Sequence, residues 1–182
     1  MKRAFDPLRL DVEAACRAGA TLEGEWPLAD LARLMASSHP ESPPAPGAAA
    51  AWSVRAERRA DAAGSAQCWL HLRASASLAL VCQRCLGPVE AELEAERSFL
   101  FVHGEEQAEA LDAEIEDDVL ALTRSLDLRE LVEDELLLAL PLVPRHDRCP
   151  QPLVPPPDPE GFEEERPNPF AALRGLRRRA PE

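Results

Sequence analysis

The chain sets 33 acidic against 20 basic side chains in 182 residues, a formal charge of −13 that repels a phosphate backbone and excludes broad, sequence-blind nucleic-acid binding. That length suits about one ordinary domain, aromatic residues are only 4 % with no Tyr, and 18 prolines keep much of the chain out of helix and strand. No apolar run approaches the ~18 residues of a membrane-spanning helix, the start MKRAF leads into no secretory apolar stretch, and the cysteine count is odd. A cytoplasmic chain with reduced thiols and no membrane partner is expected.

In chain order, PLRLDVEAACR (7–17) offers Pro7 at a first helical position and places Leu8, Val12 and Ala15 on one face, with Gly19 ending the helix. TLEGEW (21–26) reads as extended. Pro27 starts a second helix, PLADLARLMAS, striped by Leu28, Leu31, Leu34 and Met35. Residues 1–36 are therefore expected to pack on a main domain across the linker or exposed loop SSHPESPPAPGAAA (37–50).

The period changes at residue 51 and alternation holds along three runs. Trp52, Val54 and Ala56 oppose Arg55 and Arg59. Trp69 and His71 oppose Leu70 and Leu72, and Val89, Ala91, Leu93 and Ala95 oppose Glu90, Glu92, Glu94 and Glu96. Runs of this kind joined by turns make an antiparallel meander with one wet face. HGEEQAEALDAEIEDD (103–118) reads as a solvated acidic loop, and DVLAL as a short strand. A helix then follows, capped by Ser125 or Asp127 with Glu130 completing a capping box. It buries Leu128, Leu131, Val132, Leu136 and Ala139, and Pro141 stops it. The expected fold is α+β: an antiparallel sheet flanked by helices in a main domain of residues 51–149. Residues 150–182 form a proline-rich, irregular tail tipped by a short basic helix, PNPFAALRGLRRR, with Arg174, Arg177, Arg178 and Arg179.

Chemistry concentrates in CQRCL (82–86), at a turn closed by Gly87 and Pro88. Cys82 and Cys85 have knuckle spacing, and His146 and Cys149 repeat it as H-x-x-C; structural zinc takes four such ligands, often as two short pairs. A redox pair normally opens a helix after a strand, whereas a second strand follows here. Packing as small apolar groups is the third reading, and the residues leave the choice open. Cys16 and Cys68 read as small core residues, and His39, His71 and His103 as isolated. Glu133, Asp134 and Glu135 read as a solvated helix surface, and no phosphate loop or nucleophile motif occurs. Arg55, Arg58 and Arg59 in one strand, Arg84 at the knuckle and the arginine-rich end offer RNA a limited, salt-sensitive handle.

VCQRCLGPVEAELE, LDLRELVEDELLLALPLVPRHDRC and NPFAALRGLRR, in that order, resemble the YceD family, whose members are called large ribosomal RNA subunit accumulation proteins. The resemblance covers residues 50–178 well and the N-terminal helices loosely, and the prolines at 40–46 and 152–157 look like local elaborations. It implies a bacterial or plastid protein supporting processing or stability of the large-subunit ribosomal RNA, and no enzymatic activity follows from it; a non-enzymatic protein is expected. Cys82, Cys85 and Cys149 fall where members with C-x-R-C also carry cysteines. The expected partner is a large-subunit ribosomal RNA precursor or a basic large-subunit ribosomal protein, with no small-molecule substrate. The competing readings are a zinc- or thiol-dependent RNA-processing enzyme and a structural adaptor that makes no RNA contact.

Overall fold

Long runs of alternating apolar residues can bury one face only by pairing into a sheet, and they do so in a computed structural model of the chain. The structure describes residues 5–60, 64, 66–123 and 125–150, all within one compact unit, Met1–Gln151. The arginine-rich end and the proline-rich tail lie outside the described residues.

The elements are α1 (Val12–Ala18), β1 (Thr21–Pro27), α2 (Ala32–Met35), β2 (Ala49–Ala60), β3 (Ala66–Val81), β4 (Pro88–Val102), α3 (Glu105–Asp112), β5 (Asp118–Ala121) and α4 (Leu128–Leu138). The sheet runs in the order β1-β2-β3-β4-β5, antiparallel through β4, with β5 parallel to β4. The meander of three runs is thus the centre of a larger sheet. TLEGEW is its first strand and DVLA its last.

Alternation fixes the faces. Trp52, Val54 and Ala56 of β2, Leu70, Leu72 and Leu78 of β3, and Leu93, Phe99 and Phe101 of β4 point into the main core. Val12 and Ala15 of α1, Leu34 of α2, and Leu128, Val132 and Leu136 of α4 cover them. The opposite face is wet except at one end, where Trp69, Leu100 and Val102 pack against Ala108 of α3 and Val119 of β5.

Several expectations are corrected. The acidic stretch 103–118 is not a loop throughout, because it contains α3. A strand parallel to β4 requires the chain to cross back over the sheet, and a helix is the usual crossover. The first helix begins at Val12, since Asp11 caps it by accepting the Ala14 amide at 2.9 Å. Residues 6–9 form a turn that leaves Leu8 exposed, while Gly19, at φ 57°, closes the helix in the left-handed conformation that favours glycine. The second helix is a 3₁₀ turn, Leu28–Asp30, followed by the single helical turn α2, although Leu28, Leu31 and Leu34 are buried as expected. Cys16 and Cys68 are joined in a disulfide, so they are neither separate nor reduced here.

Of the two residues expected to cap the fourth helix, Asp127 is the one that does so. Asp127 accepts the amides of Arg129 at 2.8 Å and Glu130 at 3.3 Å. Its acidic run differs from expectation, because Glu133 and Glu135 are buried beside Arg33 and Arg97 while Asp134 stays exposed. A helix turns 100° per residue, so residues 133 and 135 flank the apolar stripe rather than oppose it.

Candidate metal centre

The knuckle forms where β3 must reverse into β4. Cys82, fully buried, donates its amide to Gly87 O at 2.9 Å, and Leu86 donates back to Cys82 O at 2.9 Å. Leu86 carries the one positive φ outside glycine among the described residues, 60°, and so turns the chain directly after Cys85. The second pair arrives on the segment after α4. There Gln83 donates its amide to Pro144 O at 2.8 Å, setting residues 144–149 against the knuckle.

All four sequence-predicted ligands come together: the ligating atoms of Cys82, Cys85, His146 and Cys149 lie within 4.8 Å of one another. Cys82 Sγ is 4.0 Å from Cys149 Sγ, and Cys85 Sγ is 3.5 Å from His146 Nδ1. A zinc tetrahedron with its ordinary bond lengths separates two sulfurs by roughly 3.8 Å and a sulfur from an imidazole nitrogen by roughly 3.6 Å. His146 Nε2 lies 2.9 Å from Pro88 O, which can only accept, so that nitrogen carries the proton and Nδ1 turns its lone pair toward the sulfurs. The donor set and its second shell fit zinc.

Electrostatics agree. Burial pushes the Cys82 thiol up, but the backbone amides of Cys85, Arg84 and His146 outweigh it and bring the pKa down to about 5. Burial and the hydrogen bonds to Cys85 and Cys82 push Cys149 up to about 11. One thiolate is thus favoured without a cation, and a divalent cation would let three sit together.

His39, read from sequence as isolated, supports the knuckle. Its Nδ1 accepts the Glu41 amide at 3.1 Å, which leaves the proton on Nε2, 3.1 Å from Leu86 O. Its own amide donates to Ala79 O at 2.7 Å, so a residue of the proline-rich loop braces both β3 and the turn. No spacing rule pairs His39 with residues forty or more positions away. His71 stays a strand residue, with Nδ1 2.8 Å from Ser98 Oγ. Arg84, Arg145 and Arg148 are exposed around the centre.

A second feature lies on the wet sheet face. Glu23 and Glu25 of β1 and Glu94 and Glu96 of β4 rim a groove of about 860 Å³ floored by Ser53 and Ser75. Arg73 crosses to Glu96 at 2.7 Å. Among the described residues, no helix is long and apolar enough to cross a membrane.

Residues 70–177, which include all four clustered ligands, match the family described as large ribosomal RNA subunit accumulation protein YceD. The chain belongs to the YceD family. A relative from Haemophilus influenzae, named large ribosomal RNA subunit accumulation protein YceD, is 39 % identical over 105 residues, 55 % of this chain and 60 % of that protein. The chain thus spans about three fifths of that relative's length. No solved structure matches. The YceD match begins inside β3, so α1, β1, α2 and β2 fall outside it.

Proposed function

We propose that the chain is a cytoplasmic, non-enzymatic factor supporting accumulation of large-subunit ribosomal RNA, with a structural zinc held by Cys82, Cys85, His146 and Cys149. The observation that carries this reading is the match of residues 70–177 to a family described by that role. Zinc would supply the charge that binds three thiolates and one imidazole, pinning residues 146–149 to the knuckle beyond the one backbone hydrogen bond from Gln83 to Pro144. Four protein donors fill a tetrahedron and leave no position for a reactive water, which supports a structural site over a catalytic one.

Two surfaces divide the partners by charge. Arg84, Arg145 and Arg148 around the knuckle are candidate contacts for RNA phosphates, as are Arg174, Arg177, Arg178 and Arg179 beyond the described residues. The acidic sheet face, with Glu23, Glu25, Glu94 and Glu96, suits a basic large-subunit ribosomal protein.

The test is a pull-down with the full chain from cells, joined to metal analysis of the purified protein. The reading expects large-subunit precursor RNA or large-subunit ribosomal proteins in the eluate, and about one zinc per chain. Recovery of neither partner overturns the role. Incubation with precursor RNA decides against the enzyme reading if no cleavage occurs with zinc present and no chelator; chelator-sensitive cleavage lost in Cys82→Ser overturns the non-enzymatic account. Binding that survives deletion of residues 174–182 and shows no RNA in the eluate supports the adaptor instead.

A further inference from the structure

The Cys16–Cys68 disulfide joins α1 to the start of β3, the end opposite the knuckle. Both cysteines are buried in the main core, at its edge, and line a cavity of about 330 Å³, within the size range of small-molecule sites. Cys68 is the more exposed residue of the pair, at 8 % against 3 % for Cys16. Arg58 stands directly opposite Cys68 in the β2–β3 register and lines the same cavity. Arg17, one residue past Cys16, lines it too, and its contact to Glu13 is a long, exposed 3.9 Å. Glu13, Gln67, His103 and Gln107 add polar groups to the wall, and Phe101, Val102 and Leu111 add apolar ones. A disulfide, two guanidinium groups against the single carboxylate of Glu13, and apolar side chains in one cavity suit a small thiol that carries carboxylates.

We propose that this cavity admits an anionic small-molecule thiol of the glutathione class, and that Cys16–Cys68 is a reversible thiol–disulfide pair serviced through it. The small thiolate attacks Cys68 Sγ, the Cys16–Cys68 bond breaks, and Cys16 leaves as a thiolate that takes a proton from water. A second small thiolate then attacks the small molecule's sulfur in the mixed disulfide. Cys68 departs as a thiolate, and the small molecule leaves as its symmetric disulfide. Two electrons pass from two small thiols to the protein, and the reverse sequence restores the bond.

Reduction leaves α1 in place. Leu10 and Leu126 exchange backbone hydrogen bonds at 2.8 and 2.9 Å, and Val12 and Ala15 are fully buried. Such a pair is compatible with a reducing compartment, where a sealed structural disulfide would be unusual. The inference stands apart from the ribosomal role and from the metal centre.

The test uses the full chain in buffers of stepped glutathione to glutathione-disulfide ratio, quenched with acid and alkylated, with peptide mass spectrometry reading Cys16 and Cys68 separately from Cys82, Cys85 and Cys149. The pair is expected to pass from oxidised to reduced within the range of ratios used. Arg58→Gln and Arg17→Gln, each checked for fold by circular dichroism, are expected to slow reduction by glutathione up to roughly tenfold while leaving reduction by neutral 2-mercaptoethanol unchanged. A pair that stays wholly oxidised or wholly reduced at every ratio overturns the proposal. So does an equal effect of the arginine variants on both thiols, or no effect on either; should one variant fail to fold, the other and the wild-type redox titration carry the decision.

Discussion

Glu133 reaches from α4 to the open amides of α2, accepting Arg33 N at 2.7 Å and Leu34 N at 3.1 Å where Leu31, at the cap position, has no side-chain acceptor. It therefore caps a helix a hundred residues away in sequence, and the Arg33 guanidinium closes over it at 3.0 Å. Glu133→Ala orphans those amides in a buried site and is expected to cost about 3 kcal/mol, read from the urea unfolding midpoint at constant slope. Burial pushes Glu133 up, but the amides and Arg33 outweigh it and hold its pKa below the ordinary 4.5. A lowered folded-state carboxyl contributes stability above its unfolded value and loses it as pH falls through the folded value, here below about pH 4.5. Glu135 is opposite in sign. Burial raises its pKa above 4.5 and Arg97 only partly offsets this, so its charged form weakens the fold at neutral pH and the penalty lifts as pH falls toward 4.5. Urea midpoints at pH 7 should therefore fall in Glu133→Gln and rise in Glu135→Gln, which keeps a carbonyl for Arg97. A fall in both would contradict the assignment.

The crossover helix and the final helix carry different loads. Leu136 of α4 is fully buried in the main core, and Leu136→Ala is expected to cost about 2–5 kcal/mol and lower the midpoint of the whole cooperative transition. Ala108 of α3 packs only on the small cluster around Trp69, so Ala108→Glu should release α3 and leave the main core standing. Trp69 emission should shift to the red with little change in the urea midpoint; a shift without loss of far-ultraviolet strand signal separates this from global unfolding. The central strands and α4 were legible because period-two alternation and a capped apolar stripe each admit one element. The acidic stretch hid α3, since its small apolar face, Ala108 and Leu111, packs with Trp69, on the side of β3 opposite Leu70 and Leu72. The burial of Glu133 was hidden for a similar reason: its partners, Arg33 and Leu34, are joined to it only by tertiary packing. For the centre, the two x-x-spaced pairs exposed the four ligands, whereas His39 became visible only once β3 had an end for it to brace.

Across the molecule, a charge of −13 is unevenly spread, with carboxylates rimming the groove on the wet sheet face and arginines around the knuckle. Binding of a basic ribosomal protein through the groove should weaken as salt rises and be reduced in the quadruple variant Glu23→Gln, Glu25→Gln, Glu94→Gln, Glu96→Gln, with RNA recovery unchanged. Loss of both together would place the two partners on one surface. The role itself is tested most directly in bacteria lacking their own YceD protein, by the ratio of large- to small-subunit ribosomal RNA after expression of this chain. The account predicts that the intact chain restores the ratio and that Cys82→Ser with Cys149→Ser restores it less at equal protein level. A chain that accumulates to normal level, folded and zinc-loaded, and leaves the ratio where it was would contradict it.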